Sequence, residues 1–311
     1  MRTKPDISAI LAKLGDQLVA AEQIDGGATS DVWKVRTNRR VYALKILNEC
    51  GAAANLTLDV HLRKNLSAGG AFVAAPVLSS EGFPNMSGAA WVLDEFVAGE
   101  HPARGELHKL TCLDLGKTLA ILHDIPVSDF GAPQLTGSLI SGEQENVFSG
   151  LATRFTNPLP IETPPAFELS RELWLKTLPY LVRIREILST SSGVLCHSDL
   201  HDRQMIIANN RLAALIDFGD ATIGDYRWDF GSLLYFHGPR VLADTVKGYE
   251  PDGTLQAKLI DSAHVFSIGI AMHIGARSLL PGKAHRLKVA TVHLNKTLVY
   301  LEQNRQHLQT D

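Results

Sequence analysis

The segment "VLCHSDLHDRQMIIANNRLAALIDFGDA", Val194 to Ala221, constrains this chain more than any other. It sets two histidines, four aspartates and a glutamine among the strand-like runs "GVLCHSD", "QMIIANN" and "LAALIDF". Buried carboxylates are costly unless something cationic compensates them, so this segment is where function is expected. Asp199 stands in a polar turn after an apolar strand, a good place to accept a proton from a hydroxyl. A turn aspartate bonding its own backbone has the same appearance. Asp217 ends an apolar strand eighteen residues later, where a carboxylate can bind a hard cation through oxygen. A strand-terminating aspartate before a turn is the plainer alternative.

The rest of the chain sets the frame. With 311 residues, 45% hydrophobic and 20% charged, it reads as globular, as one large domain or two ordinary ones. A formal net charge of −3, from 30 basic and 33 acidic residues, gives no global basic footprint for nucleic acid. Cys50, Cys112 and Cys196 are far apart, odd in number and without CxxC spacing, which argues against a disulfide framework and for a reducing cytoplasm. The N-terminal "MRTKPDISAILAKLG" reads as a short amphipathic helix rather than a signal peptide. The apolar "VFSIGIAMHIGA", Val265 to Ala276, is too short and interrupted to span a bilayer and reads as a buried helix. No membrane partner is expected.

Residues 1–20 look helical, and strands are expected over Asp31–Arg36 and Arg40–Leu47 about a turn at Thr37–Arg39. Residues 52–67 look helical, and "AFVAAPVLSS" and "AAWVLDEFV" look like two further strands. After Gly99 the pattern changes. Leu115, Leu119 and Leu122 form one helical stripe, residues 126–170 read as loops with short helices, and 168–190 read as helix. Beyond Asp229 the pattern is mostly helical. Strands first and helices afterwards imply an α+β protein in two lobes, 1–97 and 98–311.

Two further features carry chemistry. "DGGATSDVWKV", Asp25 to Val35, sets a Gly-Gly turn between strands, which lets backbone N–H groups approach a ligand, although many hairpins carry such a turn. Lys45 in "YALKIL" shares a strand face with Val41, Ala43 and Leu47. An amine there needs an anion, or else snorkels to water.

Taken in this order and spacing, the four features resemble the aminoglycoside phosphotransferase and choline kinase-like superfamily, relatives of the protein kinases. That family's catalytic stretch reads roughly H-G-D-L-H-x-x-N, then I-D-F/W; this chain has "HSDLHDRQ", then "IDFGDA". "GGATS", Lys45, "GDYRWD", "VAAPVL" and "LAILHDI" stand where relatives carry similar strings. The resemblance covers residues 20–125 and 193–236. It implies a two-lobed protein-kinase-like fold, with a small strand-rich N-lobe for nucleotide and a larger, mainly helical C-lobe holding the catalytic loop, metal site and acceptor pocket. The implied activity is ATP-dependent, magnesium-assisted phosphoryl transfer to the hydroxyl of a small molecule such as an aminoglycoside, amino alcohol or sugar. GTP stands as an alternative donor.

By the same resemblance, backbone around Gly27, Ala28, Thr29 and Ser30 covers the phosphates, and Lys45 pairs with the α- and β-phosphates. Asp199 orients the acceptor hydroxyl and takes its proton, and Asp217 holds magnesium. Glu95 and Val97 meet the adenine edge through their backbone. His197 and Asp229 are structural, Asp229 as a helix cap. Two positions depart from the pattern. Asp59, one methylene shorter, stands near the place of the helix glutamate that pairs with the strand lysine. Gln204 replaces the asparagine that gives an amide oxygen to a metal, which keeps a catalytically weak or inactive nucleotide-binding relative as the alternative. A metal-dependent hydrolase using His197, Asp199 and His201 is a third reading. Only twelve residues separate Asp217 from Asp229, too few for the long activation loop of a protein kinase.

Overall fold

The computed structural model describes residues 5–26, 30–47, 52–82 and 89–304. The chain opens with α1 (Ile7–Ala12), β1 (Leu18–Gly26), β2 (Ser30–Thr37), β3 (Val41–Leu47), α2 (Ala52–Ala68), β4 (Pro76–Ser79) and β5 (Trp91–Glu95). Then come α3 (Lys109–His123), β6 (Val127–Ser128), β7 (Phe130–Thr136), β8 (Leu139–Gln144), α4 (Val147–Arg154), α5 (Arg171–Leu188) and β9 (Val194–Cys196). The last elements are β10 (Met205–Ala208), β11 (Arg211–Leu215), β12 (Thr222–Gly224), α6 (Arg227–His237), α7 (Pro239–Tyr249), α8 (Gln256–Ala276) and α9 (His285–Gln303). They form two compact units, Met1–Glu100 with Met205–Gly219, and His101–Gln204 with Asp220–Asp311.

The first unit is built on an antiparallel sheet in the order β1-β2-β3-β5-β4. Strand alternation explains its two faces. Tyr42, Leu44 and Ile46 of β3 enter a core with Ile10, Leu11, Val35, Trp91 and Leu93. On the other side Leu47 and Val92 meet Leu56 and Val60 of α2. Lys45 lies between Val32 and Val92 in register. The helix expected over residues 1–20 is only α1: Asp6 caps it through Ser8 N (2.9 Å) and Ala9 N (3.3 Å), and the chain reverses at Gly15, whose φ is +68°.

The β10–β11 hairpin belongs to this unit although the sequence pattern assigns everything after residue 98 to the second lobe. Leu215 donates its N–H to Phe72 O (2.7 Å), and Glu100 and Ile207 exchange backbone bonds of 3.0 and 2.8 Å. Asn209 and Asn210 turn the hairpin at φ +51° and +62°, the two positive values a type I′ turn requires.

The second unit is mainly helical with a small sheet in the order β6-β8-β7-β12-β9. Part of that sheet, β6 to β8, occupies a region expected as loop. The α8 helix runs through the core, with Phe266 edge-on to Trp228 at 5.1 Å between centroids. Its extension to Leu279 is long and apolar enough to cross a membrane by length and composition, yet 72% of that apolar window is buried inside the protein. The α3 and α7 helices touch through glycines: a Cβ on Gly116 would overlap Thr245 O and lie 2.6 Å from Tyr249 N. Cys112 and Cys196 are free and buried, and Cys50 lies outside the described residues.

Candidate active site

In the second unit, β9 leads into a loop whose backbone is fixed by one carboxylate. Asp229, fully buried in the first turn of α6, accepts the N–H of His197 (2.8 Å) and of Ser198 (2.7 Å). It also meets His123 Nε2 at 3.1 Å. Asp229 is thus the anchor of the loop rather than the helix cap expected from its position. Ser198, where relatives carry glycine, adopts φ +63°. This left-handed geometry is costly for a side chain bearing Cβ. Local bonds offset the cost: Ser198 Oγ donates to Asp220 O and accepts from Arg154 Nε (2.9 Å).

The loop presents Asp199. Gln204 Nε2 donates to its Oδ2 (3.3 Å), His201 Nε2 lies 3.5 Å from the same oxygen, and Arg154 Nη2 lies 3.8 Å from Oδ1. Burial would raise the carboxyl, but the His201 bond and charge, then Arg154, overcome it and hold Asp199 at about 2. Asp199 lines a cavity of about 310 Å³ together with Arg154 and Asp220. Arg154 went unnoticed in the sequence because it lies in the stretch, 126–192, where the resemblance is thin. Its pattern gives no chemical signal beyond one basic residue ending a short helix.

In the first unit, Lys45 Nζ lies 3.2 Å from Asp217 Oδ1. Asp217 has φ +63° and a half-exposed side chain. Asp59 does not pair with Lys45, which corrects the expectation for it. Arg63, one turn along α2, takes it instead through Nε (3.0 Å) and Nη2 (2.7 Å). Arg63 Nη1 donates to Ala74 O (2.8 Å) and also lies 2.8 Å from Asp94 Oδ1. All three side chains are buried. Burial pushes Asp94 up, against the Arg63 charge, to about 6. Burial alone would lower Arg63, but the two carboxylates outweigh it and raise the guanidinium further.

The remaining nucleotide-binding candidates are also in this unit. Ser30 begins β2, buried and paired with Leu47; Gly27, Ala28 and Thr29 lie outside the described residues. Glu95 N–H is committed to Ala75 O (3.0 Å) and Phe96 N–H to Val41 O (3.3 Å). Among the described residues no backbone bond engages Val97.

The hydrolase reading needs His197, Asp199 and His201 to converge. Among the described residues, the histidine, cysteine and carboxylate ligand atoms that converge are instead those of His123, Cys196 and Asp229. That cluster is occupied by the bonds of Asp229 to the loop.

A profile of the phosphotransferase enzyme family matches residues 20–260, and the chain belongs to that family. The fold is that of protein-kinase-like phosphotransferases. Aminoglycoside phosphotransferase APH(4)-Ia superposes with a TM-score of 0.64 at 14% identity, covering 94% of this chain and 97% of the other. A protein assigned as a fructosamine-3-kinase from Haemophilus somnus 129PT gives 0.60 at 14%, covering 94% and 96%. Spectinomycin phosphotransferase APH(9)-Ia, in complex with ADP and spectinomycin, gives 0.57 at 15%, covering 96% and 100%. A search of curated proteins finds no match to the sequence.

Proposed function

We propose that this chain transfers the γ-phosphoryl group of ATP, with magnesium, to a hydroxyl of a small molecule in the cytoplasm. The observation that carries the reading is Asp199: a carboxylate held ionised on a loop pinned by Asp229, lining a cavity large enough for a metabolite-sized acceptor. A carboxylate at about 2 is a weak base for a ground-state hydroxyl. It orients the hydroxyl as an acceptor and takes the proton late, as bonding to phosphorus makes the hydroxyl acidic. Gln204 and Arg154 position it.

In this reading Lys45 pairs with the nucleotide phosphates, backbone of residues 27–30 covers them, and the Val97 backbone with the Glu95 carbonyl meets the adenine edge. ADP or AMP-PNP in the structures of relatives supports an adenine nucleotide. Each donor by itself suits a hard cation: in the first unit Asp217 offers a half-exposed carboxylate, and in the second unit Gln204 carries an amide oxygen. Magnesium held by such donors would neutralise phosphate charge. The test is a phosphoryl-transfer screen of sugars, amino alcohols, hydroxy acids and aminoglycosides with ATP and magnesium, using Asp199→Asn as control. Transfer that persists in full in that variant refutes the role given to Asp199. A nucleotide-binding relative without turnover is the second reading, favoured by the commitment of the Gln204 amide nitrogen to Asp199; ATP binding without transfer across the screen selects it.

A further inference from the structure

The cavity beside Asp199 is basic. Four arginines line it, Arg104, Arg154, Arg277 and Arg286, against two carboxylates, Asp199 and Asp220. The four differ in what already holds them. Arg104 donates to Phe236 O (2.9 Å) and Tyr235 O (3.3 Å). Arg154 is tied to the catalytic loop and to Asp220 at 3.4 Å. Arg277, just past α8, and Arg286, at the start of α9, have no carboxylate partner among the described residues. Both are half-buried, and burial together with the Arg277 charge holds the Arg286 guanidinium below its ordinary value.

A third group on the same wall points the same way. Tyr235 is 5% exposed, lines the cavity, and its hydroxyl has no hydrogen-bond partner. That hydroxyl feels the charges of Arg104 and Arg286. Two guanidinium groups and a buried hydroxyl lining one cavity, with no acceptor for them among the described residues, make a poor structural arrangement and a good oxyanion receptor. Phe155, Phe236 and two carboxylates also line the cavity, but other acidic and aromatic groups that could serve a cationic acceptor are engaged elsewhere. Asp225 is buried against Arg227 (2.8 Å), and Trp228 is stacked on Phe155 at 4.9 Å in the core. Trp174 is likewise buried, its indole N–H on Pro160 O (2.8 Å).

We propose that the acceptor is an anionic hydroxyl compound whose carboxylate or phosphate group is held by Arg277, Arg286 and the Tyr235 hydroxyl, leaving its own hydroxyl to Asp199. This rests on the proposed phosphotransferase reading, and it disfavours polycationic acceptors, which the four arginines repel.

The test uses the full chain and four diol probes: glycerol, 3-amino-1,2-propanediol, glycerate and glycerol 3-phosphate. Binding is measured by calorimetry without nucleotide, so it does not depend on turnover. The expected result is at least tenfold tighter binding of an anionic probe than of the neutral and cationic ones; which anion wins identifies the group. Arg277→Gln with Arg286→Gln should reduce that preference below threefold, with ATP affinity kept within twofold. If the double variant does not fold, Arg286→Lys and Tyr235→Phe give the same reading, each weakening the anionic probe severalfold. Equal binding of all four probes, or an anion preference that survives the substitutions, overturns the proposal. So does a parallel loss of ATP affinity, which would assign these arginines to the nucleotide. Anion binding without any phosphoryl transfer would uphold this subsite and sink the transferase reading.

Discussion

Replacing Asp229 by asparagine tests what fixes the loop that carries Asp199. The substitution keeps the shape and removes the charge. In the native chain three donors converge on the two oxygens: His197 N at 2.8 Å, Ser198 N at 2.7 Å and His123 Nε2 at 3.1 Å. An asparagine has one oxygen, so at least one N–H then faces an amide nitrogen. Hydrogen bonds to a charged group are worth about 1.5–3 kcal/mol each, and an unsatisfied buried donor adds its own penalty. With Asp229 fully buried, a loss of about 3–5 kcal/mol follows. At about 2–4 °C per kcal/mol for a chain somewhat below this size, the melting temperature falls by roughly 6–20 °C. Whether the lost acceptor is that of Ser198 N or of its neighbour His197 N, the loop backbone that carries Asp199 shifts, and a displacement of about 1 Å costs roughly 100-fold in turnover. Differential scanning fluorimetry with ADP-release kinetics below the transition reads both effects. A melting temperature within 2 °C of wild type, with full turnover, would refute the anchoring role.

Other substitutions and conditions test the surrounding structure. Gly116→Ala raises intrinsic helix propensity by about 1 kcal/mol, yet it should destabilise by roughly 3 kcal/mol or more because its Cβ meets the backbone of α7; a urea midpoint at or above wild type would contradict that contact. Burial lowers His237 to about 4 and His273 and His293 to about 3. Their folded values lie below the ordinary one near 6.5, so this stability is present above about pH 6.5 and lost as pH falls, by up to about 1.4 kcal/mol per pH unit for each histidine. Urea midpoints should therefore drop between pH 7.5 and 5, and His273→Gln should flatten the slope; a midpoint constant over that range would contradict it. Asp199, depressed from 3.8 to about 2, acts in a lower window: its contribution is complete above about pH 4 and lost as pH falls through 2, so no acid limb of the rate above about pH 4 belongs to it.

The sequence made the chemistry of this fold readable where one residue type serves one local purpose. Strand β3 followed from alternation and α3 from its leucine stripe, and Lys45 lies on a strand, Asp199 in the loop after β9 and Asp217 just past β11, local settings the pattern indicated. What it hid depends on pairing across distance. The β7–β8 hairpin mixes Gly131, Pro133, Gly137 and Gly142 into short strands, and such breakers read as loop until a partner strand satisfies the backbone. Asp59 was placed near Lys45 by family pattern, but the guanidinium four residues on is the closer partner. Ser198 carried a signal that the motif alone could have given: a serine where relatives have glycine implies a strained backbone with side-chain support. Arg154, Arg277 and Arg286 come from three separate segments, and only the fold makes them neighbours of one cavity.

The most direct measurement is ATP affinity and ATP turnover side by side, with magnesium and an accepted hydroxyl compound, for wild type and Asp199→Asn. The expected result is affinity equal within about twofold and turnover lower by about 10²–10⁴ in the variant. Undiminished turnover, or a wild-type protein that binds no ATP, would contradict phosphoryl transfer at Asp199.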